Sequence, residues 1–241
     1  MNADLKQQGQ PQASDMNARI VRRVIQVLVM IAFQGVVLFA SSGRLDWIWA
    51  WVFLGLYLVG AVVNGAFMLR YSPETIAQRA DAEEMKDWDK VVGGLFALMY
   101  FVGTLLVAGL DERLGWPGEI APTVSGIAAA AFALGFAFIV WSMAANAHFS
   151  TVVRVQGEKG HTVCTEGPYR FVRHPGYLGG IVHALVAPLI LGSTWALIPG
   201  GLAALLLVVR TALEDRTLHQ ELSGYAEYAQ QTRYRLLPGV W

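Results

Sequence analysis

The stretch LGGIVHALVAPLILGSTWALIPGGLAALLLVV, residues 178–209, holds no acidic or basic residue other than His183. It is also too long for one crossing of a bilayer, which takes about 20 apolar residues as a helix. Pro188, Gly192, Pro199 and Gly200 interrupt it, and prolines and glycines of this kind end or bend helices. The stretch therefore reads as a tight hairpin of two helices, part of it short or kinked. Upstream, four further apolar blocks of span length run from about Val24 to Ala40, Trp47 to Leu69, Val91 to Leu110 and Val124 to Ala145. Together with the hairpin they predict an all-α polytopic integral membrane protein of about six transmembrane helices.

Composition agrees: 55% of the residues are hydrophobic and 15% charged, with a mean hydropathy of +0.44. Basic residues fall in groups that test the count. Lys6, Arg19, Arg22 and Arg23 precede the first span; Arg70, Arg79, Lys86 and Lys90 follow the second. Arg154, Lys159, Arg170 and Arg173 follow the fourth, and Arg210, Arg216, Arg233 and Arg235 the last, leaving Arg44 and Arg113 for the other side. An even count places all these groups on one face, so both termini and the segment after the fourth span are expected in the cytoplasm. Lys and Arg, 18 in all, balance 18 Asp and Glu, and basic residues that flank spans suggest no nucleic-acid surface. Residues 1–18 read as a disordered polar tail without a signal-peptide pattern, 19–146 as a four-helix membrane region, and 147–241 as the region carrying chemistry. The segment from Arg70 to Lys90 reads as a connector with one amphipathic helix. Asn64 and His183 are single polar residues of the kind found at helix contacts, and visible ion or proton paths are lacking.

The polar residues concentrate around the hairpin. Before it stands GPYRFVRHPGYLGG, residues 167–180, in which Pro168 and Pro175 hold RFVRH between two rigid corners. Pro175 suits the first position of the fifth span, which sets Arg173 and His174 at a helix N-terminus where backbone N–H groups favour an anionic ligand. Beyond the hairpin stand Glu214 and Asp215, two acids at the membrane boundary. Gly224 marks a break before a short helix from about Tyr225 to Gln231. These segments can fold over the inner end of the hairpin, where Glu214 can bind a cation or a diol. An anion, a cation and a diol occur together in S-adenosylmethionine. A metal site of His161, Cys164 and His174 has loose spacing and no apparent fourth ligand.

The run HTVCTEGPYRFVRHPGYLGG, residues 161–180, resembles the signature of the isoprenylcysteine carboxyl methyltransferase family, whose related members include phospholipid N-methyltransferases. His161, Thr165, Gly167, Pro168, Tyr169, Arg170, Arg173, His174, Pro175, Tyr177 and Gly179 match that pattern. The tail, with its paired acids, spaced tyrosines and terminal proline, is similar to the family's second signature. Val163 and Cys164 stand where the family often has Leu and Val, and Asp215 where it often has the longer Glu. The resemblance implies a methyltransferase that takes S-adenosylmethionine without a Rossmann domain, and the chain has no GxGxxG following a strand. It also implies a cofactor site between the two cytoplasmic C-terminal segments, with a lipophilic acceptor arriving from a bacterial-type inner membrane. Carried over, it makes His161, Val163, Gly167, Tyr169, Arg173, His174, Pro175, Tyr177 and Glu214 cofactor-site candidates.

Methyl transfer from a sulfonium is an in-line displacement that depends chiefly on positioning. A carboxylate acceptor could be fixed by an arginine, Arg173 first and Arg170 second. An ammonium acceptor must first lose a proton, to His174, Glu214 or a lipid phosphate. Carboxyl O-methylation of an isoprenylcysteine-like compound leads; phospholipid amine N-methylation, small-thiol S-methylation, and a non-catalytic membrane protein or transporter are the alternatives.

Overall fold

The structure, a computed structural model, describes residues 13–71, 85–146, 149, 153 and 162–241. Those residues form helices and connecting turns: α1 (Ala13–Ser42), α2 (Ile48–Tyr71), α3 (Asp87–Leu114), α4 (Pro122–Ala145), α5 (Pro175–Ile190), α6 (Leu197–Glu221) and α7 (Tyr225–Gln231). The helices α1, α2, α3, α4 and α6 are long and apolar enough to cross a membrane; α5 is apolar but only 16 residues long. At 1.5 Å per residue α5 spans about 24 Å, short of a hydrocarbon core about 30 Å thick. Apolar side chains such as Val29, Val36, Val62, Ile127, Leu134 and Leu205 point outward, as lipid-facing helices require.

The chain alternates direction, so α3 and α5 start, and α2, α4 and α6 finish, at one end of the bundle. That end carries the polar segments on either side of the hairpin. The hairpin is as expected, and two of its three prolines stand in a first turn, where a missing N–H costs least. Pro175 opens α5, Pro188 lies near its end, and Pro199 sits in the first turn of α6. Gly200 brings α6 against α5: a Cβ there would stand 2.6 Å from the Ala184 carbonyl and 2.9 Å from Pro188 Cγ. Gly200→Val is therefore expected to force the hairpin apart and to cost about 1–3 kcal/mol, read as a lower thermal midpoint in detergent; an unchanged midpoint would show that the helices separate freely.

Two differences from expectation stand out. The first helix reaches back to Ala13, inside the stretch expected as tail; residues 1–12 and the expected amphipathic helix of the 70–90 connector lie mostly outside the described residues. The second is a π-helical turn at Leu98–Thr104 inside α3, where the Thr104 hydroxyl donates to the Met99 carbonyl at 3.0 Å. Such insertions have no periodicity signal and occur often beside functional sites.

The core between the helices is aromatic. Phe53, Tyr57 and Phe132 meet edge-on or tilted, and the Tyr57 hydroxyl donates to that of Tyr100 at 2.8 Å. His183 lies flat on the Phe132 ring at 3.9 Å, with Nε2 2.9 Å from the Phe132 carbonyl. It is thus a satisfied histidine at a helix contact. Gln34 on α1 differs: it is fully buried, and both amide atoms lack a hydrogen-bond partner among the described residues. Since an unmet buried polar group is costly, Gln34→Met, close in volume, should raise stability by about 1 kcal/mol. A fall in the thermal midpoint would show that the amide is satisfied.

Candidate active site

The site starts from one turn. Gly167–Arg170 form a single 3-10 turn, entered through Gly167 at φ +56°. A Cβ at Gly167 would stand 2.9 Å from Ala145 Cβ and 3.2 Å from Trp141 Nε1, so only glycine lets the chain pass the end of α4 in this conformation. Behind the turn, Arg173 N donates to the Tyr234 carbonyl and His174 N to the Arg235 carbonyl, both at 2.9 Å. The C-terminal tail is thereby laid alongside the segment that precedes α5.

Asp215 holds these pieces together. Its side chain is 1% exposed. Arg173 Nε and Arg235 Nε donate to Oδ1 and Oδ2, each at 2.8 Å, and Arg173 Nη2 reaches Oδ2 at 3.2 Å. The Tyr225 hydroxyl donates to Oδ1 at 2.9 Å, and His174 Nε2 lies 3.2 Å from the same oxygen. Arg173 Nη1 is taken by the carbonyls of Thr232 and Arg233, both at 2.8 Å. Burial works against the charge on Arg173, but the Asp215 carboxylate outweighs it and holds the guanidinium pKa above its ordinary value. Burial, and then the neighbouring Asp215 charge, push the Tyr225 phenol upward. It therefore stays protonated as a donor. Cys164 is also raised by burial, and its thiol donates to the Ala145 carbonyl at 3.2 Å.

Beside this cluster a cavity of about 780 Å³ opens between α3, α4, α5, α6 and the tail. Its lining includes the polar groups Asn146, Tyr169, His174, Tyr177, Glu214 and Tyr225. The Tyr177 hydroxyl donates to Glu214 Oε2, Tyr228 OH to the Tyr169 carbonyl at 2.7 Å, and Asn146 Nδ2 to Tyr169 OH at 3.4 Å. Apolar groups also line it, among them Phe96, Phe101, Met143 and Leu207, with Gly93 and Gly94. A carboxylate, an imidazole and tyrosine rings suit a ligand that carries hydroxyls and positive charge, and the apolar groups suit a hydrocarbon chain.

Of the residues singled out from sequence, Val163, Tyr169, Arg173, His174, Tyr177 and Glu214 line this cavity. His161 lies outside the described residues. Gly167 and Pro175 shape the backbone and do not line it. Two expectations for an acceptor clamp need correction. Arg170 is exposed on the turn and does not line the cavity, because the 3-10 turn points it away. Arg173 lines the cavity, yet its guanidinium is engaged by Asp215 and two tail carbonyls. Sequence reasoning passed over Tyr225, Tyr228 and Asn146, and counted Arg210 only as an orientation charge. The spaced tyrosines of the tail were the available signal.

Residues 127–220 match the model of the isoprenylcysteine carboxyl methyltransferase (ICMT) family. That segment, 94 of the 241 residues, is similar to the ICMT family. It comprises nearly all of α4, all of α5 and almost all of α6, and with them the Gly167 turn, His174, Glu214 and Asp215. No curated protein has a significant match to the chain. This similarity, with helices long and apolar enough to cross a bilayer, supports an integral membrane methyltransferase. The family segment does not supply the whole site, because α3 precedes it and Tyr225, Tyr228 and the tail follow it.

Proposed function

We propose that the chain transfers a methyl group from S-adenosylmethionine to a lipophilic acceptor, foremost the carboxylate of an isoprenylcysteine-like compound. The observation that carries this reading is a cavity whose lining joins polar groups such as His174, Tyr177 and Glu214 to apolar ones such as Phe96, Phe101 and Leu207. Its volume of about 780 Å³ lies at the upper part of the range usual for small-molecule sites, roughly 300–1,000 Å³. When bound, S-adenosylmethionine supplies a methyl group made electrophilic by a sulfonium. Glu214, oriented by Tyr177, is placed to accept hydrogen bonds from hydroxyls or an ammonium. Tyr169, Tyr177 and Tyr225 also line the cavity, and aromatic rings of this kind attract cations. His174 and the backbone before α5 supply the polar end.

A carboxylate acceptor arrives ionised, so its attack needs no base from the protein. Positioning against the apolar groups, with water excluded, is then the chief contribution of the chain. The basic residues at the site end of the bundle support a cytoplasmic location for the site and both termini.

Calorimetry on detergent-purified protein is expected to show binding of S-adenosylmethionine, and no binding would overturn the proposal. Transfer of a labelled methyl group to a prenylcysteine analogue should give a base-labile ester. A base-stable product formed from membrane lipid or a thiol would instead assign an amine or thiol acceptor.

A further inference from the structure

Asp89, at the start of α3, is fully buried. Arg210 Nε and Nη2 donate to its two carboxylate oxygens at 2.6 and 2.9 Å, and Val153 N donates to Oδ2 at 2.8 Å. Burying two charges is costly, and a pair that only docked α3 on α6 could be replaced by apolar side chains at little loss. What Arg210 touches next points to a further role. Its guanidinium carbon lies 5.4 Å from the centroid of the Tyr177 ring, and Tyr177 donates its hydroxyl to Glu214. Arg210 and Glu214 are one turn apart on α6 and share a face. Asp89, Arg210, Tyr177 and Glu214 all line the cavity. An unbroken set of contacts thus runs from α3, outside the family segment, to the Glu214 carboxylate.

We propose that Asp89 and Arg210 are positioning residues for methyl transfer: their ion pair fixes the guanidinium against the Tyr177 ring and thereby keeps the Tyr177 hydroxyl on Glu214. This rests on the function proposed above, in which Glu214 holds the cofactor. α3 then acts on the chemistry through Arg210 without itself touching the cofactor.

The test uses the full chain in detergent, with S-adenosylmethionine as the probe and three variants: Asp89→Leu with Arg210→Met, Tyr177→Phe, and all three changes together. The apolar double variant should keep its thermal midpoint within a few degrees, because an apolar pair replaces a buried ionic one. Its cofactor Kd should nevertheless rise about tenfold, a readout that a merely structural role would not move. Tyr177→Phe should raise Kd by a similar factor, and the triple variant should be no more than about twofold weaker than Tyr177→Phe alone. If the double variant does not fold, the nearly isosteric Asp89→Asn takes its place, alone and with Tyr177→Phe, with the same expectation. Wild-type affinity in the folded variant would overturn the positioning role while leaving the proposed function standing. Multiplicative losses in the triple variant would overturn the route through Tyr177. Absence of cofactor binding by the wild-type chain would overturn both.

Discussion

Asp215→Ala is expected to abolish cofactor binding and to lower the unfolding free energy by about 3–5 kcal/mol, the cost of stripping a buried ion pair of one partner. The effect is large because one carboxylate serves several elements at once. Arg173 and His174 come from the segment before α5, Tyr225 opens α7, and Arg235 belongs to the tail. Without it the Arg173 guanidinium, 7% exposed, loses its carboxylate partner and keeps neutral ones, among them the carbonyls of Thr232 and Arg233. Asp215→Asn should be milder in stability, since an amide still accepts from Tyr225 while the charge is gone. Chemical or thermal unfolding in detergent, paired with calorimetry, checks both variants. Retention of binding by Asp215→Ala would show that the tail stays docked through its backbone contacts alone.

Glu214→Gln is the second large expectation, and its signature is different. Glu214 is half-buried, and Tyr177 is its hydrogen-bond partner. The amide preserves that bond and the packing, so the thermal midpoint should stay near wild type. Cofactor affinity should fall roughly 10- to 100-fold, the value of a charge-assisted hydrogen bond. Neighbouring acids would then separate cleanly: Asp215 governs assembly, Glu214 governs the ligand. Equal losses of stability in the two variants would contradict this division.

That division also shows where sequence reasoning stops. Adjacent residues on a helix point about 100° apart, so EDR at residues 214–216 contains one side chain aimed at Arg173 and another aimed at Tyr177. The order of letters does not say which is which. The hairpin was legible because Pro188, Gly192 and Pro199 punctuate an apolar run, and the break at Gly224 because a glycine at φ +81° ends a helix. Asp89 and Arg210 were not legible as a pair, being 121 positions apart, the one inside the 70–90 connector and the other counted as an orientation charge. The assignment of Arg173 as an acceptor clamp failed for a related reason. An arginine near a cavity is not available to a ligand when the chain's own carboxylate and carbonyls already surround it, and those partners come from residues more than 40 positions later.

The backbone bonds from Arg173 and His174 to Tyr234 and Arg235 bear on the biosynthesis of the protein. The described membrane helices are all synthesised before Tyr234 and Arg235, which complete the site. A nascent chain can insert and pack its helices while Asp215 still lacks Arg235, and the pocket closes only once Tyr234 and Arg235 have left the ribosome. Completion of the site then follows insertion in time, so a chain stalled part-way through this tail would lack the Arg235 and backbone contacts that close it.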